Sequence, residues 1–177
     1  MPRAAPPFHL GGRRRGGPPA WRARRRGGYG VRMSARSRAW LPALLLVAAV
    51  CAVYAPVWDA GFVWDDDHYL TKNELIRAGD GWWRFFTGEA IDFYPVSNIS
   101  LWLEWRLWGL EARGYHVTNV AVHAASALLL WSVLARLAVP GAWWAALLFA
   151  IHPVNVASVA WIAERKNVLS LFFALVS

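Results

Sequence analysis

The sequence contains little cysteine, no acidic residue near its start and no glycine pattern for phosphate binding. The single cysteine, Cys51, lies inside an apolar run, which excludes disulfide bonds within the chain and cysteine-based zinc sites. No internal repeat and no Gly-rich phosphate loop is found. These absences exclude repeat arrays and P-loop nucleotide binding for this stretch of chain.

The composition is that of an integral membrane protein. Of the 177 residues, 57% are hydrophobic and 13 are tryptophan, and the mean hydropathy is +0.28. A soluble domain of this size is usually less apolar and less aromatic. We therefore predict an all-α membrane protein.

The positive charge is concentrated in residues 1–38. The chain has a net charge of +8, and eleven of its 19 basic residues are arginines in this stretch. A segment of Arg, Gly, Pro and Ala cannot form a core, so we predict a disordered cytoplasmic tail. We interpret it as a positive-inside anchor rather than a nucleic-acid binder. Met33 is an alternative start, in which case the preceding residues are not part of the protein.

Apolar runs predict four membrane helices, the last of them incomplete. The first has 20 residues without a charge, about the length that crosses the hydrocarbon core. The fourth has roughly half of that length, so we expect a truncated helix at Ser177. The four predicted helices are residues 39–58, 115–138, 142–162 and 168–177.

The charges on either side of the first helix predict its orientation. Arginines precede it and aspartates follow it, which places the N-terminus in the cytoplasm and residues 59–114 outside. In this external loop, "GWWRFFTG" and "SNISLWLEWRLWGL" mix Trp, Phe and Leu with single charges. This pattern predicts short helices that lie in the headgroup layer.

An acidic cluster follows the first helix in "FVWDDDHYLTKN". Asp65, Asp66 and Asp67 repel one another, and crowding of like charges raises the pKa of at least one carboxyl group. The cluster fits a solvated loop, a cation site in which Asp65, Asp66 and His68 are ligands, or a catalytic base that takes a hydroxyl proton. The residues alone leave these three interpretations open.

Polar residues also occur inside the predicted helices. His116, Asn119 and His123 fall at helical spacing on one face, which we expect to point into the bundle. They are either functional or structural, since His and Asn also hydrogen-bond neighbouring membrane helices. The same alternatives hold for His152, which precedes Pro153.

A basic pair, Arg165 and Lys166, is expected on the outer side, where the positive-inside bias disfavours such residues. Two cations at the outer headgroup level form a candidate phosphate site. The alternative is a pair that extends toward lipid headgroups without specificity.

Three blocks of the sequence together resemble a known family. They are "FVWDDDHYLTKN", "FYPVSNISLWLEWRLWGLEARGYHVTNVAVHAASALLLW" and "LLFAIHPVNVASVAWIAERKNVLS". In this order they are similar to the N-terminal membrane portion of the tetratricopeptide-repeat O-mannosyltransferase-like (TMTC-like) proteins, of the GT-C glycosyltransferase class. The resemblance implies a GT-C-like transmembrane helix bundle with interfacial helices in the first external loop.

The resemblance also implies an activity. It implies inverting transfer of a sugar, with mannose expected, from a polyprenyl-phosphate donor to a protein hydroxyl or another acceptor on the outer or lumenal face. Asp65 then acts as general base, and Asp66 holds the acceptor or a divalent cation. His152, Arg165 and Lys166 lie near the donor phosphate.

Two departures from the family pattern stand against this assignment. Ala157 occupies a position at which relatives usually have an acidic residue. Relatives also have more membrane helices, followed by a helical repeat domain.

Two rival functions remain at this stage. One is a non-catalytic membrane anchor or inactive fragment that packs with a partner subunit. The other is a cation-binding module. In either case we expect a multi-pass membrane protein, in the plasma membrane of a bacterium or the endoplasmic reticulum membrane of a eukaryote.

Overall fold

The computed structural model of the chain describes residues 35–90 and 92–177. These residues form helices and turns and contain no β-strand, in agreement with the predicted all-α class. The predicted disordered tail lies outside the described residues as far as residue 34. Its last four residues, from Ala35 on, belong instead to the first helix.

Eight α-helices occur in the described residues, joined by 3-10 and π-helical turns. In chain order they are α1 (Ala35–Val53), α2 (Glu74–Arg77), α3 (Gly81–Arg84), α4 (Pro95–Trp108), α5 (Ala112–Arg136), α6 (Ala142–Ile151), α7 (Val156–Ala160) and α8 (Arg165–Val176). The predicted external loop therefore contains α2, α3 and α4.

Proline limits two of the helices. A 3-10 turn over Ala55–Asp59 follows α1 and has Pro56 in its first turn, so the predicted helix 39–58 ends as a regular helix at Val53. The predicted helix 142–162 is divided between α6 and α7, which meet at an angle of 49°. At this break His152 is extended, with φ −69° and ψ 131°, because the ring of the following proline disfavours helical backbone angles.

Helix α5 lies at the centre of a bundle and contacts α1, α6, α7 and α8. Small side chains allow this close packing: Ala124 and Ala127 of α5 and Ala146 and Ala150 of α6 are buried in one apolar cluster. Small residues let membrane helices approach closely, so that dispersion contacts hold them together. In addition, the indole Nε1 of Trp143 donates to a backbone carbonyl of α1 at 3.0 Å.

A second apolar cluster covers the end of the bundle at which α5 begins. It is formed by α2, α3, α4, the first turns of α5 and a residue of the segment before α8. Its buried members are Leu70, Leu75, Ile76, Phe85, Leu101, Ala112, Tyr115 and Ile162. This cap places the external loop against the bundle.

One glycine is required where the cap is tightest. A Cβ atom at Gly81 would lie 1.8 Å from the carbonyl oxygen of Leu75, far inside van der Waals contact. The turn between α2 and α3 therefore depends on the absence of a side chain at this position.

The outer surface of the bundle is apolar. Large exposed hydrophobic side chains include Trp40, Leu44, Leu45, Trp144 and Leu148. Among the described residues, one helix, α5, is long and apolar enough to cross a membrane, and the bent pair of α6 with residues 153–160 counts as a second if it forms a single span. The four spans expected from the sequence are thus not confirmed, and multi-pass topology stays a prediction.

Close packing around α6 leads to a first prediction. Ala146→Leu places three extra carbon atoms where the alanine is fully buried, whereas Ala145→Leu places them on the exposed face of the same helix. Overpacking of a filled core typically costs about 1–3 kcal/mol. We expect the Ala146 variant to unfold at a lower temperature in detergent than the Ala145 variant, which should match the unchanged protein. Equal unfolding temperatures would contradict the packing of α6 against α1 and α5.

Candidate functional site

The three adjacent aspartates occupy different environments. Asp65 is exposed, and its backbone carbonyl accepts a hydrogen bond from Tyr69 at 2.9 Å. Asp67 forms an ion pair with Lys72 at 2.7 Å and accepts from the hydroxyl of Thr71 at 2.7 Å. The hydrogen bond from Lys72, followed by that from Thr71, lowers the pKa of Asp67. Like-charge crowding still acts on Asp66: burial is the main cause that raises its pKa, and Asp65 and Asp67 add to the rise.

Asp66 is fully buried and faces inward. One carboxylate oxygen accepts from the backbone N–H of Val63 at 2.9 Å, and the other accepts from the backbone N–H of Ala163 at 2.7 Å. Burial raises the pKa of Asp66, and the two backbone hydrogen bonds oppose this shift only in part. A carboxylate so enclosed does not meet a hydroxyl from outside, so the expected contact of Asp66 with an acceptor or cation is not seen.

Two loops meet at Asp66. We call residues 60–67 the acidic loop and residues 152–164 the second loop. Trp161 of the second loop donates from Nε1 to the carbonyl of Val63 at 3.1 Å, and its ring packs edge-on against Trp64 with 5.9 Å between centroids. Trp64 has a positive φ of 47°, a conformation that large side chains rarely adopt. Contacts between the loops therefore hold a backbone that would not adopt this form alone.

Lys166 lies at the edge of this junction and is partly exposed. Its ammonium group donates to Glu164 at 2.8 Å and lies 5.8 Å from the ring of Tyr69 and 5.5 Å from the ring of Tyr94. The hydroxyl of Tyr69 donates to Asp92, and this hydrogen bond is the main reason that the pKa of Tyr69 is raised to about 12. Asp65 adds a smaller electrostatic contribution of the same sign.

Asp65 and Lys166 are therefore on one surface, with Tyr69 near both. Asp65 is exposed there, whereas Lys166 is partly exposed and paired with Glu164.

Arg165 points away from that surface. Its side chain is 2% exposed and pairs with Glu104 of α4 at 2.6 Å. Its Nε donates to the amide oxygen of Asn119 at 2.8 Å, and a terminal nitrogen donates to the carbonyl of Tyr115 at 3.0 Å. A guanidinium with these partners joins α8 to α4 and α5, which differs from the expected contact with a donor phosphate.

The predicted histidines do not join the acidic cluster. His152 is exposed, and its Nδ1 accepts from the backbone of Val154 at 3.2 Å, which caps a local turn. His123 is buried, and its Nε2 lies 2.9 Å from the carbonyl of Ala150. His116 is buried as well and lies beside the backbone of Ala60, Gly61 and Ala160, although no hydrogen bond of good geometry to its ring nitrogens is seen among the described residues.

The candidate metal ligands do not converge. Within residues 35–90 and 92–177, no three His, Cys, Asp or Glu side chains are placed to hold one ion. The set of Asp65, Asp66 and His68 is divided because Asp66 turns inward while the other two face outward.

An apolar groove opens beside Lys166. It has a volume of about 250 Å³ and lies between the start of α4 and the first turns of α8. Its lining residues are Phe93, Tyr94, Pro95, Val96, Ser97, Lys166, Leu169, Ser170 and Phe173. One cation in the lining of an apolar groove suits an amphiphile that has an anionic head and a hydrocarbon tail.

Comparison with known proteins gives a consistent set of relatives. Human "Protein O-mannosyl-transferase TMTC2" is 31% identical over 138 residues, covering 70% of this chain and 16% of that protein. Human "Protein O-mannosyl-transferase TMTC4" is 28% identical over 158 residues, or 74% of this chain and 21% of that protein. "Protein O-mannosyl-transferase F38B6.6" of Caenorhabditis elegans is 27% identical over 148 residues, or 75% and 21%.

The chain is similar in sequence to the TMTC protein O-mannosyl-transferases. The resemblance noted from the sequence blocks is thereby confirmed. The chain spans about a fifth of the length of these TMTC relatives. No family model matches it, and no solved structure does.

Two residues at this site, Tyr69 and Glu104, were not predicted from the sequence. Tyr69 follows Asp65 by one helical turn, a spacing at which neighbours share a face. Glu104 is the one acidic residue of α4, in a helix otherwise rich in Trp and Leu. A carboxylate in such surroundings requires a partner, so this signal was available, although the identity of Arg165 as the partner was not.

The buried ion pair leads to a second prediction. Glu104→Gln removes the counter-charge of Arg165 and leaves a guanidinium buried without it. Breaking a buried pair in this way costs about 3–5 kcal/mol. We expect a clear loss of thermal stability in detergent, while Glu111→Gln, at an exposed position, should have little effect. Replacing both partners, as in Glu104→Leu with Arg165→Met, should recover much of the loss, and a failure of Glu104→Gln to destabilise would contradict the pair.

Proposed function

We propose that the chain forms the acceptor-activating and donor-binding surface of a membrane O-mannosyltransferase. The substrates are a polyprenyl-phosphate mannose and a protein hydroxyl. The proposal draws on the relatives, each named a protein O-mannosyl-transferase, and on the geometry around the acidic loop.

The observation that supports the proposal is an exposed carboxylate, Asp65, in the acidic loop and a partly exposed cation, Lys166, in the first turn of α8, directly after the second loop. The two loops are bound to each other through Asp66 and Trp161. In the proposed reaction one group removes a proton from the acceptor and the other stabilises the leaving phosphate. Asp65 and Lys166 supply these two groups.

The groove beside Lys166 supports a lipid-linked donor. Phe93, Val96, Leu169 and Phe173 give its walls an apolar surface, and Lys166 stands at its edge. Burial of isoprenoid carbon against such walls is favourable by roughly 25 cal/mol per Å². In the proposal the tail lies in the groove and the phosphate contacts the ammonium group.

The transfer step then balances as follows. The carboxylate of Asp65 takes the proton from the acceptor hydroxyl while the oxygen of that hydroxyl attacks the anomeric carbon of the sugar. The bond from that carbon to the phosphate oxygen breaks, and the polyprenyl phosphate leaves with the electron pair and its negative charge. Lys166 stabilises this charge. Attack opposite the leaving group inverts the configuration at the anomeric carbon.

The membrane arrangement is part of the same proposal. Several helices cross the bilayer, with the acidic loop, the second loop and the start of α5 on the outer or lumenal side. The exposed Trp and Leu side chains of the bundle support contact with lipid.

Asp65 provides the first test. Because a positioned base contributes about 10²–10⁴-fold to the rate, we expect Asp65→Asn to lower mannose transfer by that factor. The measurement follows labelled mannose from polyprenyl-phosphate mannose to a Ser- and Thr-containing peptide, in membranes that contain the full polypeptide. Binding of the donor should be almost unchanged, because Asp65 acts on the acceptor.

Asp67→Asn is the matched control. It removes a neighbouring carboxylate that is already paired with Lys72, and transfer should stay within about twofold if only a surface ion pair is lost. A loss of less than about tenfold in Asp65→Asn would remove Asp65 from the role of base.

Lys166 allows a test that does not depend on turnover. We expect Lys166→Met to weaken binding of a fluorescent polyprenyl phosphate to the purified chain by about tenfold or more, since hydrogen bonds to charged groups contribute about 1.5–3 kcal/mol. Lys72→Met changes an exposed lysine that is paired with Asp67, and this variant should bind the polyprenyl phosphate as before. Equal affinities for both variants would exclude Lys166 from the donor site.

The rival function is a non-catalytic anchor that packs with another subunit. One observation favours it: Arg165 and Asp66, two of the expected site residues, are fully buried and serve contacts between parts of the chain. An anchor predicts that Asp65→Asn changes nothing, while substitutions that disturb the bundle lower its amount in the membrane. The Asp65 measurement therefore separates the two functions.

A further inference from the structure

Asp66 is a charged residue with no access to solvent, between two carboxylates that face outward. Its two oxygens bind donors from different parts of the chain, the N–H of Val63 in its own loop and the N–H of Ala163 in the second loop. A buried carboxylate is costly unless such donors compensate it. Its charge is therefore used for a contact within the protein.

We propose that Asp66 is a positioning residue, whose carboxylate joins the acidic loop to the second loop and thereby sets the distance between Asp65 and Lys166. The consequence for mannose transfer rests on the proposed function. The junction itself does not, and it can be tested separately.

The backbone at Val63 is held from both sides. Its N–H donates to Asp66, and its carbonyl accepts from the indole of Trp161. Trp64, the next residue, is in the left-handed region and packs on the same indole ring. Asp65 follows directly in the chain. The direction of its side chain therefore depends on how firmly the backbone of Val63 and Trp64 is held.

An aspartate suits this junction better than an asparagine of the same size. Both partners are N–H donors, and an ionised carboxylate offers acceptors on both oxygens. The amide of asparagine would turn its own N–H₂ toward one of them, so that one hydrogen bond is lost and two donors face each other. Asp66→Asn is therefore a nearly isosteric change that opens one side of the junction.

Hydrogen exchange tests the junction without any assay of activity. In Asp66→Asn we expect the amide of Ala163, followed in a peptide from the second loop, to exchange about 10- to 100-fold faster, as the loss of a hydrogen bond to a charged group implies. Asp67→Asn should leave this amide unchanged, because that carboxylate contacts Lys72 and Thr71 instead. Unchanged exchange in Asp66→Asn would overturn the proposal.

A double-mutant cycle tests the positioning role. Asp66→Asn and Trp161→Phe each release one contact of the same junction, so each should lower mannose transfer about tenfold or more. The two losses should not multiply, since the second change releases a junction that is already open. We expect the transfer rate of the double variant to lie within about threefold of the rate of the less active single variant.

Trp102→Phe is the matched control for the cycle. It also removes one indole-to-carbonyl hydrogen bond, to Ala78, but in the contact between α4 and the end of α2. Any loss of mannose transfer in Trp102→Phe should multiply with the loss in Asp66→Asn, because independent sites add in free energy. If the losses of Asp66→Asn and Trp161→Phe multiply as well, the shared junction is overturned and a direct contact of Asp66 with substrate is favoured.

The outcomes separate this proposal from the proposed function. If exchange at Ala163 depends on Asp66 but the unchanged polypeptide transfers no mannose, the junction stands and the transferase function fails. If transfer is present and Asp66→Asn abolishes it without faster exchange at Ala163, the function stands and the positioning role fails. If Asp66→Asn does not fold, hydrogen exchange at Ala163 and mannose transfer can both be measured in Trp161→Phe. This substitution opens the same junction without removing a charge.

Discussion

The arrangement of the chain depends on one buried cation. The guanidinium of Arg165 is at the first residue of α8, and its partners are Glu104 of α4, Asn119 of α5 and a backbone carbonyl of α5. A buried charge without such partners would cost several kcal/mol, so these three helices have to meet at this point. That meeting brings the second loop over the start of α5, and it determines which side of α8 carries Lys166. The placement of Lys166 thus depends on a charge that is itself buried.

The cost of burying a charge without partners also explains why the three neighbouring aspartates have different environments. Asp67 remains near solvent with a lysine, Asp66 is enclosed by backbone donors, and Asp65 keeps its carboxylate exposed. Crowded like charges are tolerable because each one has a separate environment. The cluster thus consists of one exposed carboxylate, one buried connection between loops and one surface ion pair.

Much of the molecule could be predicted from local sequence. Apolar runs indicated the helices, and the spacing of His116, Asn119 and His123 indicated a common face, on which all three are buried. Helical spacing follows from 3.6 residues per turn. The change of structure at Pro56 was missed, because the apolar run continues through that proline to Trp58. Helix ends were less certain, as α5 and α8 begin earlier than expected, because tertiary contacts of Ala112 and Arg165 stabilise first turns that apolar composition does not mark.

The sequence by itself determined the helical class, the polar and apolar faces, and a resemblance that comparison with the TMTC relatives confirms. These properties depend on residues that are close along the chain. Only the tertiary structure decided the roles within each charged group: which aspartate is exposed, and which member of the basic pair faces outward. Asp65 and Asp66 are the same residue type, and Arg165 and Lys166 carry the same positive charge. Their difference arises from donors and acceptors that lie between 46 and 97 residues away along the chain, and no local pattern specifies such partners.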